Sequence, residues 1–485
     1  LPGLVLEQTR PATVTTPSVP IADPTRPYTP PPDYLNPVAN PLQFPTKPEE
    51  VTLIGTQPIT LAQALELARR NSRSLQVIEL QVQSSRLAVR EARAAELPSV
   101  NLNGTVSYTD SASAELSNRR RDPNSLAALL GQQNQSTTSS SLSGTIEVTY
   151  SLDTSGGRSA AIAAAERQLR INELEYERQL EILRLDVTTD YYALQEADQQ
   201  VEIAKQAVRN AEQSLKDAKA LEEAGVGTRF DVLRSEVQLA NAKQDLVRAI
   251  SAQRVSRRQL AQRLSIPQSI DIAAADPVAI AGLWSLSLED SIIMAFKNRP
   301  ELEQQLVQRE LSEKQRDLAL ASIRPQVSLF ANYSVLDQFD DNIGSADGYA
   351  IGARVNWTLY DGGASVARAQ QREQDIAIAE TRFADIRNQI RFQVEQAYSN
   401  LQANFENIQT AALAVEQAEE SLRLARLRFQ AGVGTQTEVI NAETELTRAQ
   451  VNRLRAILDY NRALASLQRA ISNLAAGSST SPASN

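Results

Sequence analysis

The sequence predicts a mixed fold of long helices and amphipathic β-hairpins, built twice within one chain and closed only by association with further copies. Three observations carry this. The chain repeats its own landmarks, two segments in each copy alternate apolar and polar residues over about ten positions, and two longer segments follow a heptad. The composition narrows the classes of function. With no His and no Cys among 485 residues, neither a His-based triad or metal site nor thiolate or disulfide chemistry is open to the chain. Aromatics make up 5% of residues, too few for an ordinary compact core, and a net charge of −9 argues against a broad nucleic-acid surface. No run of about 18 apolar residues exists, so no transmembrane helix is expected; a β-barrel, which needs only alternating segments, stays open. The chain begins at Leu1 without a basic or apolar leader, as a mature exported form would.

Residues 1–57 form a Pro-rich N-terminal extension, with thirteen of the 21 prolines before residue 50. Proline fixes φ and removes a donor, so this stretch is expected to be non-helical. It reads as a disordered leader or, alternatively, as a strap lying over another surface. Residues 476–485 read as a flexible tail.

Between these ends lie the two copies, at 58–263 and 287–475, joined by a linker at 264–286. Leu61, Ala64, Ala68, Asn71 and Pro98 match Leu288, Ser291, Ala295, Asn298 and Pro325, all 227 positions on. Val148, Tyr150 and the Ala-Gly-Val-Gly-Thr tract at 224–228 match Val355, Trp357 and 431–435 at an offset of 207. The first copy therefore carries 20 extra residues, placed in a loop within 110–143.

Each copy opens with a helix of about 36 residues, near 60–96 and 287–322. A β-hairpin follows, at about 99–153 and about 326–360. Val100, Leu102, Val106 and Tyr108 share one strand face, with Asn101, Asn103, Thr105 and Ser107 on the other. Four such strands cannot close a barrel, so a single chain would leave open edges. The long helix after each hairpin spans about 67 residues, roughly 100 Å. Its seam runs Val187, Asp190, Leu194, Ala197, Val201 in copy one and Val394, Ala397, Leu401, Asn404, Ile408 in copy two. A return helix follows, at about 229–263 and 437–473. Stacked on the next copy's first helix, it would match the long helix in length and place 264–286 midway along a rod.

The turns between long and return helix, at about 224–231 and 431–438, are the most informative local motif. Gly225, Gly227, Gly432 and Gly434 suit left-handed positions that end a helix. Thr228 and Thr435 suit N-caps, and Asp231 and Glu438 stand three residues later, as in a capping box. These residues either only shape a tight helical hairpin or form a contact surface and gate, where carboxylate rings would favour cations. A phosphate loop is excluded, because no strand precedes the turn and no Gly-Lys-Ser/Thr follows. Asp361 reads as a helix N-terminal residue and Arg119-Arg120-Arg121 as a solvated run. No catalytic centre, cofactor site or metal site is apparent, and no enzyme activity is expected.

Leu61-x-x-Ala64-x-x-x-Ala68-x-x-Asn71, Asn298-Arg299-Pro300-Glu301-Leu302, Trp357-Thr358-Leu359-Tyr360-Asp361-Gly362-Gly363 and the two Ala-Gly-Val-Gly-Thr turns occur here in one order and in duplicate. Over about 58–475 this plan resembles the TolC-like outer-membrane efflux proteins. The leader, with Asp33-Tyr34-Leu35-Asn36-Pro37, is similar to that of cyanobacterial members. The resemblance implies one protomer of a homotrimer, with a 12-stranded outer-membrane β-barrel, four strands per chain, and a long coiled-coil α-helical barrel in the periplasm. It implies an exit duct of a tripartite efflux or type I secretion system, passively conducting substrates delivered by a periplasmic adaptor and an inner-membrane ABC or RND transporter. The partners would be outer-membrane lipid and these proteins, without nucleic acid. The tip residues Gly225, Val226, Gly227, Thr228, Gly432, Val433, Gly434 and Thr435 would contact the adaptor, and Asp231, Glu438 and Asn441 would line the entrance gate. Asn441 stands where the family carries a second acid. Some members are lipidated on an N-terminal Cys, and the lack of Cys implies no such anchor on these residues. The alternatives are a periplasmic adaptor and a structural coiled-coil protein. An adaptor would need non-lipid β domains and usually has a single helical hairpin; a scaffold would not need alternating strands with Tyr and Trp.

Overall fold

The computed structural model describes residues 29–37, 42, 44–53, 55–120, 137–267, 269–339 and 344–472. The leader before residue 29, most of the extra loop in copy one and the C-terminal tail lie outside the described residues. The chain divides into two compact units, one of Leu1–Leu80, Leu174–Glu303 and Ala384–Asn485, the other of Gln81–Glu173 and Gln304–Phe383.

The repeat is plain in the element order. Copy one contains β1 (Gly55–Ile59), α1 (Leu61–Asn71), α2 (Arg73–Ala94), β2 (Ser99–Asp110), α3 (Ala112–Arg120), β3 (Thr138–Asp153), α4 (Gly157–Glu223) and α5 (Arg229–Arg263). After β4 (Ile270–Ala274), copy two runs α6 (Leu288–Asn298), α7 (Pro300–Ala321), β5 (Gln326–Gln338), β6 (Ala346–Asn356), α8 (Ala364–Gln430) and α9 (Gln436–Ala470). Helices α4 and α8 are each 67 residues long, and α5 and α9 each 35.

The opening helix of each copy is broken once, a feature the apolar pattern does not show. In copy two Arg299 precedes Pro300 and takes an extended ψ of 116°, because proline disfavours the helical conformation in the residue before it. Pro300 then starts α7, where its missing N–H costs nothing. Copy one makes the same break without proline. Ser72 has ψ 118°, and its Oγ accepts the Leu75 N–H at 3.3 Å, capping α2.

In the second unit the strands form one antiparallel sheet in the order β2-β3-β5-β6. Its register places Val100 opposite Val148, Leu102 opposite Ile146, Ile146 opposite Tyr333 and Tyr333 opposite Tyr349. These apolar positions therefore share one face, and on it Val100, Leu102, Val106, Tyr349 and Ile351 are exposed; Phe330 and Leu336 of β5 fall on the other face. The opposite face carries polar pairs such as Ser107 and Ser141, whose hydroxyls lie 3.0 Å apart. Among the described residues, strands β2 and β6 have no partner on their outer edges.

In the first unit the heptad seams are buried as their spacing requires. Val187 and Leu194 are fully buried, as are Val394 and Ile408 to within 1%. The same unit holds a two-stranded parallel pair, β1 with β4, which the sequence pattern does not show. Pro58 sits within β1, which is short and has one free edge, where a missing donor is tolerated. Asp198 fastens β4: Oδ2 accepts the Ala274 N–H at 3.2 Å, and Oδ1 holds Arg257, which also pairs with Asp271 at 3.2 Å. The buried Tyr191 hydroxyl donates to Asp276 Oδ2 at 2.8 Å, and that same oxygen accepts the otherwise orphaned Leu61 N–H at the start of α1. Burial, with the Asp276 charge beside it, raises the pKa of this phenol, and Tyr192 is pushed up to about 12 by the same causes.

Residues 29–36 of the Pro-rich extension follow the strap reading. Leu35 is fully buried in the core with Ile59, Leu67 and Tyr191. Gln63 Nε2 donates to Thr29 O at 2.8 Å, and Tyr34 donates to Gln57 Oε1 at 2.6 Å. A segment whose own secondary structure is a single 3-10 turn at Asp33–Leu35 thus gains an anchor from one apolar side chain and hydrogen bonds to β1 and α1.

Candidate functional site

The two Ala-Gly-Val-Gly-Thr turns fold alike. At the end of α4, Val226 N donates to Leu221 O at 3.0 Å and Gly225 N to Glu222 O at 2.9 Å, which is the Schellman pairing. At the end of α8 the same bonds run from Val433 N to Arg428 O and from Gly432 N to Phe429 O, each at 3.0 Å. The two glycines of each turn serve different needs. Gly225 and Gly432 have φ of 75°, the left-handed conformation. Gly227 and Gly434 do not, contrary to the expectation that all four would. They are required for space: a Cβ at Gly227 would lie 2.9 Å from Glu222 N, and one at Gly434 2.9 Å from Arg428 Cβ. The side chains between them, Val226 and Val433, are left exposed.

The caps differ between copies. Thr228 Oγ1 accepts the Asp231 N–H at 3.2 Å, and Asp231 Oδ2 accepts the Thr228 N–H at 3.3 Å, completing a capping box. Thr435 Oγ1 accepts the Glu438 N–H at 3.3 Å, yet the Glu438 carboxylate does not return to the cap. It turns to Arg428 on α8, with Nε and Oε2 3.5 Å apart. The longer side chain reaches across the hairpin where the aspartate is confined to its own helix end. Glu438 and Asn441 are exposed and line an open groove of about 990 Å³ between α8 and α9, with Glu416, Glu420, Glu445 and Arg428. Asp231 is half-buried and does not line that groove. The structure therefore brings Glu438 and Asn441 to one groove, which Asp231 does not line.

Polar residues that sequence reasoning passed over tie the two hairpins together behind the turns. Ser214 on α4 donates to Glu443 Oε1 on α9 at 2.6 Å, and Arg426 on α8 reaches the same oxygen at 2.9 Å. Glu443 is 4% exposed. Gln436, 1% exposed, donates to Ser235 Oγ on α5 at 2.8 Å, and Arg234 donates to Thr437 Oγ1 at 2.7 Å. The available signal was a polar residue on the buried stripe of Val439, Ala442 and Leu446. At the other end of α8, Asp361 is an N-terminal cap, as expected, accepting the Gly363 and Ser365 N–H groups at 3.0 and 2.8 Å.

A second buried ionic cluster lies where α6 meets α7. Arg299 pairs with Glu301 at 2.9 Å, and Arg469 reaches the same carboxylate at 2.7 Å. Burial alone would raise the Glu301 pKa; Arg299 and Arg469 outweigh it and hold the carboxyl below its ordinary value. Nearby Glu181 is raised instead, because burial there exceeds the help of Arg184 and Arg469.

The family model described as "Outer membrane efflux protein" matches residues 64–265 and 292–473, one match for each copy. The chain belongs to this family. A curated relative, Protein CyaE of Bordetella pertussis, is 25% identical over 300 residues, which cover 61% of this chain and 63% of that protein. Among solved structures, the outer membrane protein VceC of Vibrio cholerae superposes with a TM-score of 0.69 at 19% identity, over 85% of this chain and 95% of that one. The open-state MtrE outer membrane channel of Neisseria gonorrhoeae gives 0.68 at 18% identity, over 85% and 88%. The fold is accordingly that of an outer-membrane channel protomer: an internally duplicated chain with four barrel strands joined to long coiled-coil helices.

Proposed function

We propose that three copies of this chain assemble into an outer-membrane exit duct, conducting substrates passively from the periplasm to the exterior as part of a tripartite efflux or type I secretion system. The sheet carries this reading. Its apolar face is exposed over all four strands, and its two outer edges have no partner among the described residues. A polar backbone edge and an apolar face are both satisfied only when strands of several copies close a barrel in lipid. Four strands per chain give twelve in a trimer.

The tips are the periplasmic entrance in this reading. Gly225, Val226, Gly227 and Thr228, with Gly432, Val433, Gly434 and Thr435, contact the adaptor, whose inner-membrane ABC or RND partner supplies the energy. Glu438 and Asn441 face the entrance, and Asp231 shapes the helix end beside it. The exposed Val226 and Val433 support an apolar contact there. Because the chain has no native cysteine, a single Cys placed at Val226 or Val433 gives unambiguous crosslinks. Crosslinks in intact cells to a periplasmic protein with helical hairpins are expected. Crosslinks from the strand loops but none from either tip would contradict the assignment.

A further inference from the structure

One groove of the second unit is unused by the duct reading. It lies between the start of α4 and the end of α7, has a volume of about 420 Å³, and is walled by Ser155, Ser159, Lys314, Asp317, Leu320 and Arg324. Gly157 marks how closely the two helices meet there, since a Cβ on it would lie 3.2 Å from Ala321 Cβ. Asp317 is already engaged by Arg316 at 3.3 Å and Lys314 at 3.8 Å. Arg324 is exposed and makes no ion pair among the described residues. The groove wall thus carries two cations, Lys314 and Arg324, against one carboxylate that Arg316 already helps to neutralise.

The hand of the sheet tells which way the groove opens. Ser140 O accepts the Phe339 N–H, so the even-numbered residues of β3, those of the apolar face, turn their backbone groups toward β5. Ser111 N–H reaches Thr137 O, so the odd-numbered ones turn toward β2. For L-residues this places β5, and α7 leading into it, to the left of β3 and α4 when the apolar face is viewed with the helices below. On right-handed helices in that arrangement, residues 317, 320 and 324 of the ascending segment and 156, 159 and 163 of the descending one face the viewer. The groove opens on the side of the apolar face. Trp357, which continues that face beyond β6, reaches Ile323 O with its indole N–H at 3.2 Å, beside Arg324. Exposed Leu97, Leu152, Leu359 and Tyr360 lie at the same helix-proximal end of the strands. Aromatics and cations at the end of a lipid-facing band are the chemistry of a membrane–water boundary.

We propose that this groove docks the phosphate of an anionic phospholipid in the leaflet nearer the helices, held by Lys314 and Arg324 while its acyl chains lie on the apolar strands. The site rests on the outer-membrane reading above. It is tested on the full chain, extracted as trimers in mild detergent, by native mass spectrometry with added phosphatidylglycerol, phosphatidylcholine or inorganic phosphate. The native chain keeps phosphatidylglycerol in preference to phosphatidylcholine. The double variant Lys314→Gln/Arg324→Gln loses that preference by about tenfold or more, whereas the charge-conserving Arg324→Lys keeps much of it. Equal phosphatidylglycerol retention by native chain and double variant overturns the site. Inorganic phosphate bound with the same dependence on Lys314 and Arg324, without lipid preference, overturns the lipid assignment. Heat-modifiable migration of each variant monitors assembly. Intact trimers without lipid preference sink this proposal alone, whereas absence of any membrane trimer sinks the duct reading with it.

Discussion

Glu443→Gln and Glu443→Ala separate the two ways in which the carboxylate can hold the hairpins together. One oxygen of Glu443 accepts hydrogen bonds from Ser214 at 2.6 Å on one helical hairpin and from Arg426 at 2.9 Å on the other helix of its own hairpin. Gln keeps the size and an acceptor oxygen but trades charged hydrogen bonds for neutral ones, a loss of about 1 kcal/mol. If the tips exchange between a docked and a parted arrangement, that loss shifts the ratio about fivefold toward the parted one. Ala removes both bonds and leaves the Ser214 hydroxyl and a largely buried Arg426 without their acceptor, about 3 kcal/mol or on the order of a hundredfold. The assay is single-channel recording of purified full-length trimers in planar bilayers, scored as the fraction of time in the conducting state. The expected order is native, then Glu443→Gln, then Glu443→Ala, with Ser214→Ala adding little to Glu443→Ala because both remove one shared interaction. Identical traces for all three proteins would refute the reasoning.

Further outcomes follow from the same structure. Gly225→Ala and Gly227→Ala each weaken the tip, by about 1–2 kcal/mol for backbone strain and about 1–3 kcal/mol for overpacking respectively. Asn, which tolerates the left-handed conformation, is accepted better at 225 than at 227, and hydrogen exchange of the tip amides reads the difference. Glu181→Gln raises the thermal stability near pH 8. Burial raises this carboxyl's pKa, so its favourable contribution is present below the unfolded value and lost as pH rises through the folded one; the gap between native and variant therefore closes on acidification. Glu301, held low by Arg299 and Arg469, has the opposite sign, and its contribution is lost as pH falls. Leu35→Ala empties a fully buried site at a cost of about 2–4 kcal/mol and speeds proteolysis of the N-terminal segment.

The features legible in the sequence are those written as periodicities. The seam from Val187 to Leu194 and its counterpart from Val394 to Leu401 state which face is buried, and strand alternation states which face meets lipid. The Gly-Val-Gly turn and the Thr228–Asp231 cap were legible because the motif is short and its hydrogen bonds are local. What escaped depends on partners far away in the chain. Parallel pairing of Gly55–Ile59 with Ile270–Ala274 joins five-residue strands too short to show a period. The Leu35 anchor looks like any leucine among prolines until α1 supplies its pocket. Glu443 stands on a buried stripe, and only its distant partner Ser214 explains a carboxylate there. Glu438 shares its spacing with Asp231, but one extra methylene lets it reach Arg428 instead of the cap. The break at Arg299 is announced by Pro300, whereas the matching break at Ser72 rests on a serine cap that many helices carry internally without breaking.

The most direct test of the central claim is the migration of the full chain from a detergent extract of outer membranes, unheated and heated. A protomer whose open strand edges close a barrel with two further copies migrates unheated as a compact trimer and, after boiling, as a monomer of 53.1 kDa. Recovery of the chain from the soluble fraction, as a monomer or dimer with the same migration before and after heating, would contradict the account.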